Sequence, residues 1–311
     1  MPTRPLLPLL LVTALALPHT ARAQTFESVG IRAQGMGGAF VAVADDATAT
    51  WWNPAGLAGG AYFGGVIEYG RRDPDDPAFD GVSHRAFALA YPALGLSYYR
   101  LSVSQIRPPV STATDATGRQ DQGTAGTGSS RVDISQFGAT AGQSLGNHLV
   151  LASTLKLVHA AGDTAADLDV GAMVKFGLAR VGLTVRNLRE PTLGTGSDVV
   201  TLSRMARVGL ALVGPSHGPV DALALAVDAD LTTDSTPTGD ARRVAGGVEA
   251  WLAKRRVGLR GGLSTSTIGA SRTRTSGGVS LALRRGVYAE GQATNESGSQ
   301  ATWGVDLRVT F

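Results

Sequence analysis

Residues 302–311, TWGVDLRVTF, alternate between two kinds of side chain along their whole length. One set is apolar and consists of Trp303, Val305, Leu307, Val309 and Phe311. The other set is polar or small and consists of Gly304, Asp306, Arg308 and Thr310. Because successive side chains of a β-strand point to opposite faces, the stretch predicts a strand with one apolar and one charged face. Such a strand fits a wall between lipid and a polar lumen.

Similar alternating segments recur along the chain, and with the last one they number about fourteen. They cover residues 62–70, 84–91, 94–103, 131–145, 148–160, 166–177, 179–187, 203–214, 219–230, 240–252, 254–264, 273–284, 285–294 and 302–311. A soluble β-sandwich also alternates, but its strands are usually about 5–6 residues long. These segments run nearer to the roughly 9–11 residues of a membrane strand. The pattern predicts an all-β protein, a transmembrane antiparallel β-barrel of about 14 strands.

The links between these segments supply a second criterion, because they alternate in length. The tight links are Pro92-Ala93, Gly146-Asn147, Leu178, Ala253 and Arg284-Arg285, with residues 215–218 slightly longer. The intervening links are longer and rich in Gly, Ser, Thr, Asp and Pro, except for residues 161–165. Bacterial outer-membrane barrels have short periplasmic turns and longer outer loops. We therefore expect an even strand number, with both chain ends on the short-turn side.

The first residues are typical of a cleaved secretory signal peptide. Arg4 precedes an apolar run over residues 6–17, and Ala21-Arg22-Ala23 is a small-x-small cleavage site. The run is shorter than the about 20 residues that a membrane helix needs. Three regions are therefore predicted: a signal peptide over 1–23, an amino-terminal segment over 24–60 and the barrel over 61–311. Export to a Gram-negative type outer membrane follows from this arrangement.

Composition excludes several functional classes. Arg4 and Arg22 leave with the signal peptide, so 26 of the 28 Lys and Arg residues remain against 25 Asp and Glu. This balance gives no support to nucleic-acid binding. The chain has no cysteine, which excludes disulfides and thiolate chemistry. The histidines outside the signal lack metal-ligand spacing and a neighbouring nucleophile motif, so we expect no metal, no cofactor and no enzymatic activity.

The amino-terminal segment includes residues 32–58, RAQGMGGAFVAVADDATATWWNPAGLA, which are too small-sided to form a core of their own. Gly35, Gly37 and Gly38 would let its backbone pass close to a barrel wall. Asp45 or Asp46 would cap a short helical turn that ends near Trp52. The last motif residues, Asn53, Pro54, Ala55 and Gly56, have the preferences of a type I turn that leads into the first strand. The segment is thus predicted to be a hatch or plug in the lumen.

The motifs Gly-Met-Gly-Gly-Ala, Ala-Asp-Asp-Ala and Asn-Pro-Ala-Gly occur in order between residues 35 and 56. In this the chain resembles the FadL/TodX outer-membrane transport family and the related PorV/PorQ proteins. The resemblance implies a fourteen-stranded barrel with a lumenal hatch and passive transport of hydrophobic small molecules. The alternative that it implies is a PorV-like role, in which the barrel docks a secretion partner. A hatch that only occludes the pore and helps assembly is a third interpretation.

The lumen face carries charged residues that can be interpreted in two ways. Arg186, Glu249, Arg260, Glu290, Asp306 and Arg308 form either an ion-pair network that holds the hatch or the polar lining of any such barrel. On another strand, Ala222, Ala224 and Ala226 present a methyl-sized face that leaves room for a plug or an apolar ligand. Trp303 and Phe311 of the last strand are candidate assembly signals for the barrel assembly machinery. The remaining expected partners are outer-membrane lipids.

Overall fold

Fourteen antiparallel strands close into a barrel. The computed structural model describes residues 21–22, 29–72, 81–106, 129–195, 199–216, 218–236, 239–269, 272–297 and 301–311. The wall strands in chain order are β1 (Gly64–Arg72), β2 (Val82–Tyr91), β3 (Leu94–Ile106), β4 (Ser129–Leu145), β5 (Leu149–Ala160), β6 (Asp163–Phe176), β7 (Ala179–Arg186), β8 (Met205–Pro215), β9 (Val220–Asp230), β10 (Arg243–Leu252), β11 (Val257–Ser266), β12 (Thr273–Arg284), β13 (Val287–Glu296) and β14 (Thr302–Thr310). The predicted barrel with 14 strands is confirmed.

Each wall strand pairs with its sequence neighbours, and the last strand pairs with the first. The closing pair of strands runs from Thr302 opposite Arg72 to Thr310 opposite Gly64. Just beyond it, the backbone amide of Phe63 donates to the carbonyl of Phe311 at 3.1 Å, and the Phe311 amide donates back at 2.9 Å. Both ends of the barrel domain therefore lie on the same rim, as the even strand number requires.

The alternation predicted for the last strand is the one observed. Trp303, Val305 and Leu307 are exposed on the outside of the wall, whereas Asp306 and Arg308 are buried on the inside. A wall with an apolar outer face and a polar inner face contacts lipid outside and encloses a polar lumen. Similar alternation occurs on β5, where Leu151, Leu155 and Leu157 are exposed and Ala152, Thr154 and Lys156 are buried.

The six short connections lie on the rim that carries both ends of the barrel domain, and only the connection at residues 92–93 has the predicted bounds. Two examples show the size of the difference. The turn after β10 spans residues 253–256 rather than Ala253 alone, with positive φ angles at Ala253, Lys254 and Arg255. The turn after β12 lies one residue later than predicted, at residues 285–286, where Gly286 has φ +78°. Glycine adopts this left-handed conformation without strain, so its position fixes the turn.

The other connections and the amino-terminal segment supply the remaining elements. Two short helices, α1 (Ile31–Gly35) and α2 (Ala49–Trp52), precede a 3-10 helix at Pro54–Gly59. Thr192–Leu193 pairs with Val200–Thr201, which also pairs with Ala21–Arg22, and Asp234–Thr236 pairs with Gly239–Ala241. Within the described ranges, no helix combines the length and the apolar character needed to cross a bilayer. Most of the predicted signal peptide lies outside the described residues.

Candidate functional site

Residues 29–60, hereafter the inner segment, lie inside the barrel. Its helices α1 and α2 are completely buried, and Trp51 and Trp52 are at most 1% exposed. Hydrogen bonds join the inner segment to residues on all sides of the lumen, namely Glu68 of β1, Tyr99 of β3, Ala172 of β6, Asp228 of β9, Glu249 of β10, Ser276 of β12 and Gln292 of β13. The segment therefore fills the cross-section of the lumen.

Two wall carboxylates hold the backbone of the inner segment. Glu68 accepts hydrogen bonds from the amide of Gly30 at 2.9 Å and from the amide of Ile31 at 3.3 Å. Asp228 accepts from the amides of Phe40 and Val41 at 2.7 and 2.8 Å. Hydrogen bonds to an ionised acceptor are the stronger kind, and buried amides without partners are costly. Each carboxylate thus fixes one turn of the segment against the wall.

Neither of these carboxylates stood out in the sequence. The only available signal was the position of Asp228, which lies with Asp230 on the same face as Ala224 and Ala226. Those alanines are buried and belong to one apolar cluster with Phe40 and Trp52 of the inner segment. The small face therefore packs against the inner segment.

Arg32 connects the inner segment to a buried ion-pair network on β10 to β14, hereafter the Arg32 cluster. Its guanidinium donates to Glu249 at 2.8 and 2.5 Å, and to Asp45 and Asp46 of its own segment at 2.6 and 3.1 Å. Burial alone would lower the pKa of Arg32, but the carboxylates of Glu249 and Asp45 raise it above its ordinary value. Arg32 therefore stays charged, and Glu249, which it shares with Arg260, is one of its three carboxylate partners.

The wall part of the Arg32 cluster contains five of the six lumen charges that the sequence singled out. Arg260 donates to Glu249 at 2.8 Å and to Glu290 at 3.2 Å, and Arg308 donates to Glu290 at 2.7 Å. Asp306 lies opposite Glu290 on the neighbouring strand. These residues lie in a continuous row across the lumen wall, and ion pairs join Glu249, Arg260, Glu290 and Arg308.

Arg186, the sixth lumen charge, lies elsewhere, so grouping it with the other five was wrong. It belongs to a second buried group, the Lys156 cluster, formed by Lys156, Asp167, Asp169 and Arg186. Lys156 Nζ lies 2.9 Å from Asp167 and 2.6 Å from Asp169, and Arg186 Nε lies 3.5 Å from Asp169. The Arg186 guanidinium also lies 3.7 Å from the ring centroid of Trp51, where a cation–π interaction contributes. The two clusters lie on different strands, β5 to β7 and β10 to β14. The distance between these strands in the closed barrel cannot be read from the sequence.

Asp46 and Asn53 make side-chain hydrogen bonds on either side of α2, whose N-cap residue is Thr48 and has no capping side-chain hydrogen bond. Asp46 Oδ1 accepts from the amide of Thr48 at 2.9 Å, just before α2. Asn53 accepts from the amide of Ala55 at 3.1 Å, and its amide group donates to the carbonyls of Val41 at 2.9 Å and Ala172 at 3.2 Å. Asn53 therefore joins two parts of the inner segment to β6, which a turn residue alone would not do.

The Asn-Pro-Ala-Gly turn is longer than predicted. The amide of Gly56 donates to the carbonyl of Asn53 at 2.9 Å, as in a type I turn, but the chain continues as a 3-10 helix to Gly59. The first strand begins at Gly64 rather than near Tyr62. Gly56 passes so close to the Ala44 carbonyl that a Cβ there would overlap it. Ala55 is completely buried beside the turn.

The three glycines of the Gly-x-Gly-Gly stretch contribute unequally. A Cβ on Gly37 would lie 2.7 Å from the backbone nitrogen of Leu263 on β11, and Gly37 has φ +69°. Gly38 has φ +84°. Gly35 lies near Gly278 of β12, where a Cβ would be at 3.4 Å. Only Gly37 combines close approach to the wall with a left-handed conformation, so it is the glycine that the packing requires most.

The wall is interrupted at β7, which has eight residues and is the shortest wall strand described. Pairing between β6 and β7 runs only from Val170 opposite Val185 to Phe176 opposite Ala179. The outer part of β6, residues 163–169, faces residues 187–195 instead, hereafter the bridging segment. The Leu188 amide donates to the Leu168 carbonyl at 3.0 Å, and the Gly194 amide donates to Asp163 at 2.8 Å.

The Lys156 cluster holds this bridging segment from the lumen side. Lys156 Nζ donates to the side chain of Asn187 at 2.8 Å. Asp169 accepts from the Asn187 amide at 2.8 Å, and Asp167 accepts from the Arg189 amide at 3.1 Å. Side-chain hydrogen bonds therefore replace the missing strand pairing. Above them, Leu193, Val200 and Leu202 form an apolar cluster with inward residues of β4 and β5, namely Ile134, Val158 and Ala160.

Two cavities flank the inner segment. The first, of about 290 Å³, lies inside the lumen near the short-turn rim and is lined by charged residues including Arg32, Asp45 and Arg308. The second, of about 570 Å³, lies on the lipid side of β4 to β7 and is lined by small and apolar residues including Leu151, Val170 and Leu183. Opposite this apolar groove, Gly171 of the wall contacts Asn53 and Pro54 of the inner segment. The groove therefore lies where the wall is thin.

The candidate assembly residues lie at the two ends of β14. Trp303 points outward and its ring centroid lies 5.8 Å from that of Tyr69. Phe311 is 61% exposed on the short-turn rim. In the part of the chain that the structure describes, no group of three His, Cys, Asp or Glu side chains is placed to hold a metal ion.

Comparison with known proteins places this geometry among outer-membrane barrels. No protein-family model matches the chain, and no curated protein matches it. Among solved structures, the CymD monoaromatic hydrocarbon channel has a TM-score of 0.63 at 12% identity and covers 93% of this chain and 99% of its own. The toluene transporter TbuX of Ralstonia pickettii has a TM-score of 0.59 at 12% identity, covering 92% and 99%. A FadL homologue of Pseudomonas aeruginosa has a TM-score of 0.60 at 9% identity, covering 91% and 98%.

The fold is that of the FadL-like barrels. At these identities the likeness concerns the fold, and it confirms the barrel fold that the resemblance of the inner-segment motifs implied. The chain is a barrel of the outer-membrane type, whose outer face contacts lipid. The three proteins are described as a channel, a transporter and a FadL homologue.

Proposed function

We propose that the protein conducts small hydrophobic molecules passively across the outer membrane. The observation that carries this proposal is the interrupted wall at β7. A continuous barrel offers an apolar solute only the polar lumen, whereas a gap in strand pairing offers a way from the lumen into the lipid. The names of similar structures, a monoaromatic hydrocarbon channel and a toluene transporter, suggest monoaromatic hydrocarbons as the first molecules to test.

The route that we propose begins at the apolar cluster of Leu193, Val200 and Leu202 near the outer end. It then passes between β6 and the bridging segment once the hydrogen bonds to Asp167 and Asp169 are released. The inner segment blocks the straight path through the lumen, because its helices are buried and it contacts the wall on all sides. No cofactor or energy source enters this route, since each step is a diffusion along a concentration gradient.

A disulfide across the interruption tests the route. Because the chain has no native cysteine, only the two introduced residues can form it. Leu168→Cys with Leu188→Cys would join β6 to the bridging segment, whose backbones are hydrogen-bonded at 3.0 Å. Leu151→Cys with Ala172→Cys, which are paired across the continuous β5–β6 wall, is the matched control. We expect uptake of radiolabelled toluene by cells carrying the protein to fall in the oxidised test pair and to recover after reduction.

Equal uptake by the oxidised and reduced test pair would rule out the lateral route. Equal uptake by cells with and without the protein would rule out transport altogether. The control pair should transport normally in both redox states, because its cross-link joins strands that are already paired.

A protein-docking role in secretion is the second candidate, and the filled lumen favours it. A barrel that docks a partner needs no conduit, and the inner segment occupies the cross-section of this one. Native mass spectrometry of the detergent-purified protein distinguishes the candidates. A stable protein partner without a bound apolar molecule would favour docking, whereas a bound apolar molecule would favour transport.

We also propose that residues 1–23 are removed during export and that the carboxyl-terminal strand is recognised by the barrel assembly machinery. Cleavage after Ala23 would remove the short strand Ala21–Arg22 and leave its partner Val200–Thr201 paired only with Thr192–Leu193. Amino-terminal sequencing of the mature protein tests the cleavage site. Deletion of Phe311, which is exposed on the rim, should reduce the amount of folded barrel in the membrane fraction.

A further inference from the structure

Two arginines stand side by side on the lipid-facing surface of the barrel. Arg85 of β2 and Arg100 of β3 are exposed, and the strand positions next to them face the lumen, where Ala86 and Tyr99 are buried. Because side chains alternate along a strand, both arginines point away from the lumen. They lie toward the ends of β2 and β3 that carry the long connections, which is the outer side of such a barrel.

The strand register places these two like charges directly opposite each other. Arg85 pairs with Arg100 across β2 and β3, and with Tyr69 across β1 and β2. Arg100 Nη2 lies 2.7 Å from Asp133 of β4. Within the described residues no carboxylate is paired with Arg85, whose guanidinium lies 5.9 Å from the ring centroid of Tyr69. Like charges opposite each other destabilise a sheet, so a further anion would stabilise this pair.

The arginines lie at the edge of the lipid-facing belt. One row closer to the middle of the membrane, the lipid-facing residues are apolar or aromatic. They are the paired residues Ile67, Phe87, Tyr98 and Phe137, which are 41–60% exposed. Tyr69 is paired with Arg85, and Trp303, whose ring lies 5.8 Å from that of Tyr69, is one outward row farther from the barrel centre, opposite Arg71. Aromatic residues mark the boundary between the hydrocarbon and the headgroups, so the arginines are at headgroup depth.

A cavity is present between the two arginines. It has a volume of about 280 Å³ and is lined by Ser83, Arg85, Arg100, Ser102 and Asp133. Asp133 accepts hydrogen bonds from Arg100 and from Ser102, at 2.7 and 2.5 Å. Two guanidinium groups against one carboxylate leave the lining with net positive charge. Guanidinium groups bind phosphate oxygens in bidentate geometry, and serine hydroxyls add further donors.

Within the wall strands the outward charge is concentrated on one side of the barrel, although Arg242 is exposed just before β10. Of the wall residues whose side chains the structure describes, outward cations in the outer half occur only on β1, β2 and β3, as Arg71, Arg85 and Arg100. The corresponding outward positions of β11 to β13 are uncharged and include Thr265, Thr275 and Asn295. A general affinity for headgroups would not require this asymmetry, whereas a site for one lipid would.

We propose that the cavity between Arg85 and Arg100 binds the phosphate of a phosphorylated lipid in the outer leaflet. The phosphate takes the place between the two guanidinium groups, and the acyl chains of the lipid lie along Phe87, Tyr98 and Phe137 below. This site faces the membrane rather than the lumen, and it does not depend on the proposed transport.

Retention of lipid by the full-length protein in detergent, measured by native mass spectrometry, tests the site. The probes are a monophosphorylated glycolipid, the same glycolipid without its phosphate, and inorganic phosphate alone. The test variant is Arg85→Gln with Arg100→Gln. The matched control is Arg284→Gln with Arg285→Gln, which removes the same charge from exposed positions on the opposite rim.

We expect the test variant to retain the phosphorylated lipid about tenfold less than the unmodified protein, since each surface arginine contributes measurably to anionic lipid binding. The control variant and the dephosphorylated lipid should show no such difference. Asp133→Asn removes the competing carboxylate and should increase retention of the phosphorylated lipid by about threefold. Arg85→Lys with Arg100→Lys keeps the charge and is the second test variant if the Gln variant does not fold.

Four results would overturn the proposal. The first is equal retention of the phosphorylated and dephosphorylated lipids by the unmodified protein. The second is equal loss in the test and control variants. The third is reduced retention in Asp133→Asn, because a site that depends on net positive charge cannot weaken when a carboxylate is removed. Binding of inorganic phosphate without preference for the phosphorylated lipid would also overturn the lipid assignment.

Discussion

The barrel wall and the inner segment are stabilised in different ways. The wall is held by backbone pairing between neighbouring strands, such as the nine residue pairs between β14 and β1, and this pairing depends little on any one side chain. The inner segment has two short helices and few backbone hydrogen bonds to the wall, so side chains such as Glu249, Asp228 and Asn53 hold it. A few substitutions should therefore release the segment without opening the wall.

Labelling of a buried cysteine measures that release directly. The chain has no native cysteine, and Ala39 of the inner segment is completely buried. An Ala39→Cys background should react with a membrane-impermeant thiol reagent only when the segment leaves its place. Heat-modifiable migration in gels reports separately on the wall and should stay unchanged in every variant below.

The largest effect is expected for Glu249→Gln. This change leaves Arg32 and Arg260 buried without a shared carboxylate, and breaking a buried ion pair costs about 3–5 kcal/mol. Labelling of Ala39→Cys should accelerate by more than about 100-fold. Glu190→Gln removes an exposed ion pair with Arg204 and should leave labelling nearly unchanged. Equal labelling in the two variants would show that the Arg32 cluster does not hold the segment.

Asp228→Ala should have the next largest effect. The amides of Phe40 and Val41 would lose their acceptor, at a cost of about 2–3 kcal/mol. Thiol labelling should rise by about 30-fold or more, with partial recovery in Asp228→Asn. Asp221→Ala is the control, because Asp221 accepts from the Arg255 amide in a short turn away from the inner segment. If Asp228→Ala were labelled no faster than Asp221→Ala, the proposed role of Asp228 would be contradicted.

Asn53→Ala should loosen the segment by about 1–2 kcal/mol, since it removes contacts with Val41, Ala172 and Ala55. The readout is single-channel conductance in planar bilayers, which should show more frequent openings. Asn295→Ala, on an exposed position of β13, is the matched control. Conductance identical to that of the unmodified protein would count against the hatch model.

Thr50→Val should produce the smallest effect. The Thr50 hydroxyl is 2.6 Å from the hydroxyl of Tyr99, and valine keeps the shape while removing the hydrogen bond. The expected cost is about 1 kcal/mol, or about fivefold in thiol labelling. Thr275→Val, on an exposed position of β12, should give no change. A large effect at Thr50 would mean that the segment depends on packing near Tyr99 more than on its carboxylate contacts.

The wall was the more predictable of the two regions. Alternation over residues 302–311 predicted which side chains face lipid, because a membrane strand exposes every second residue to an apolar solvent. The predicted boundaries of the turns were less accurate. At Ala253, for example, three successive residues with positive φ lengthen the connection. The distribution of the lumen charges was predicted in part, since Arg186 belongs to the Lys156 cluster rather than to the row that contains Glu249.

The sequence by itself determined the fold class, the strand number, the polar lumen and the presence of a small-sided segment to fill it. These properties follow from local periodicity and from residue size, which any one stretch of chain displays. Only the tertiary structure decided that Glu68 and Asp228 hold the inner segment and that β7 ends early beside the bridging segment. Such contacts join residues up to 188 positions apart in the case of Phe40 and Asp228, and barrel closure brings them together. Local patterns carry no information about which of many lumen carboxylates will meet a given amide.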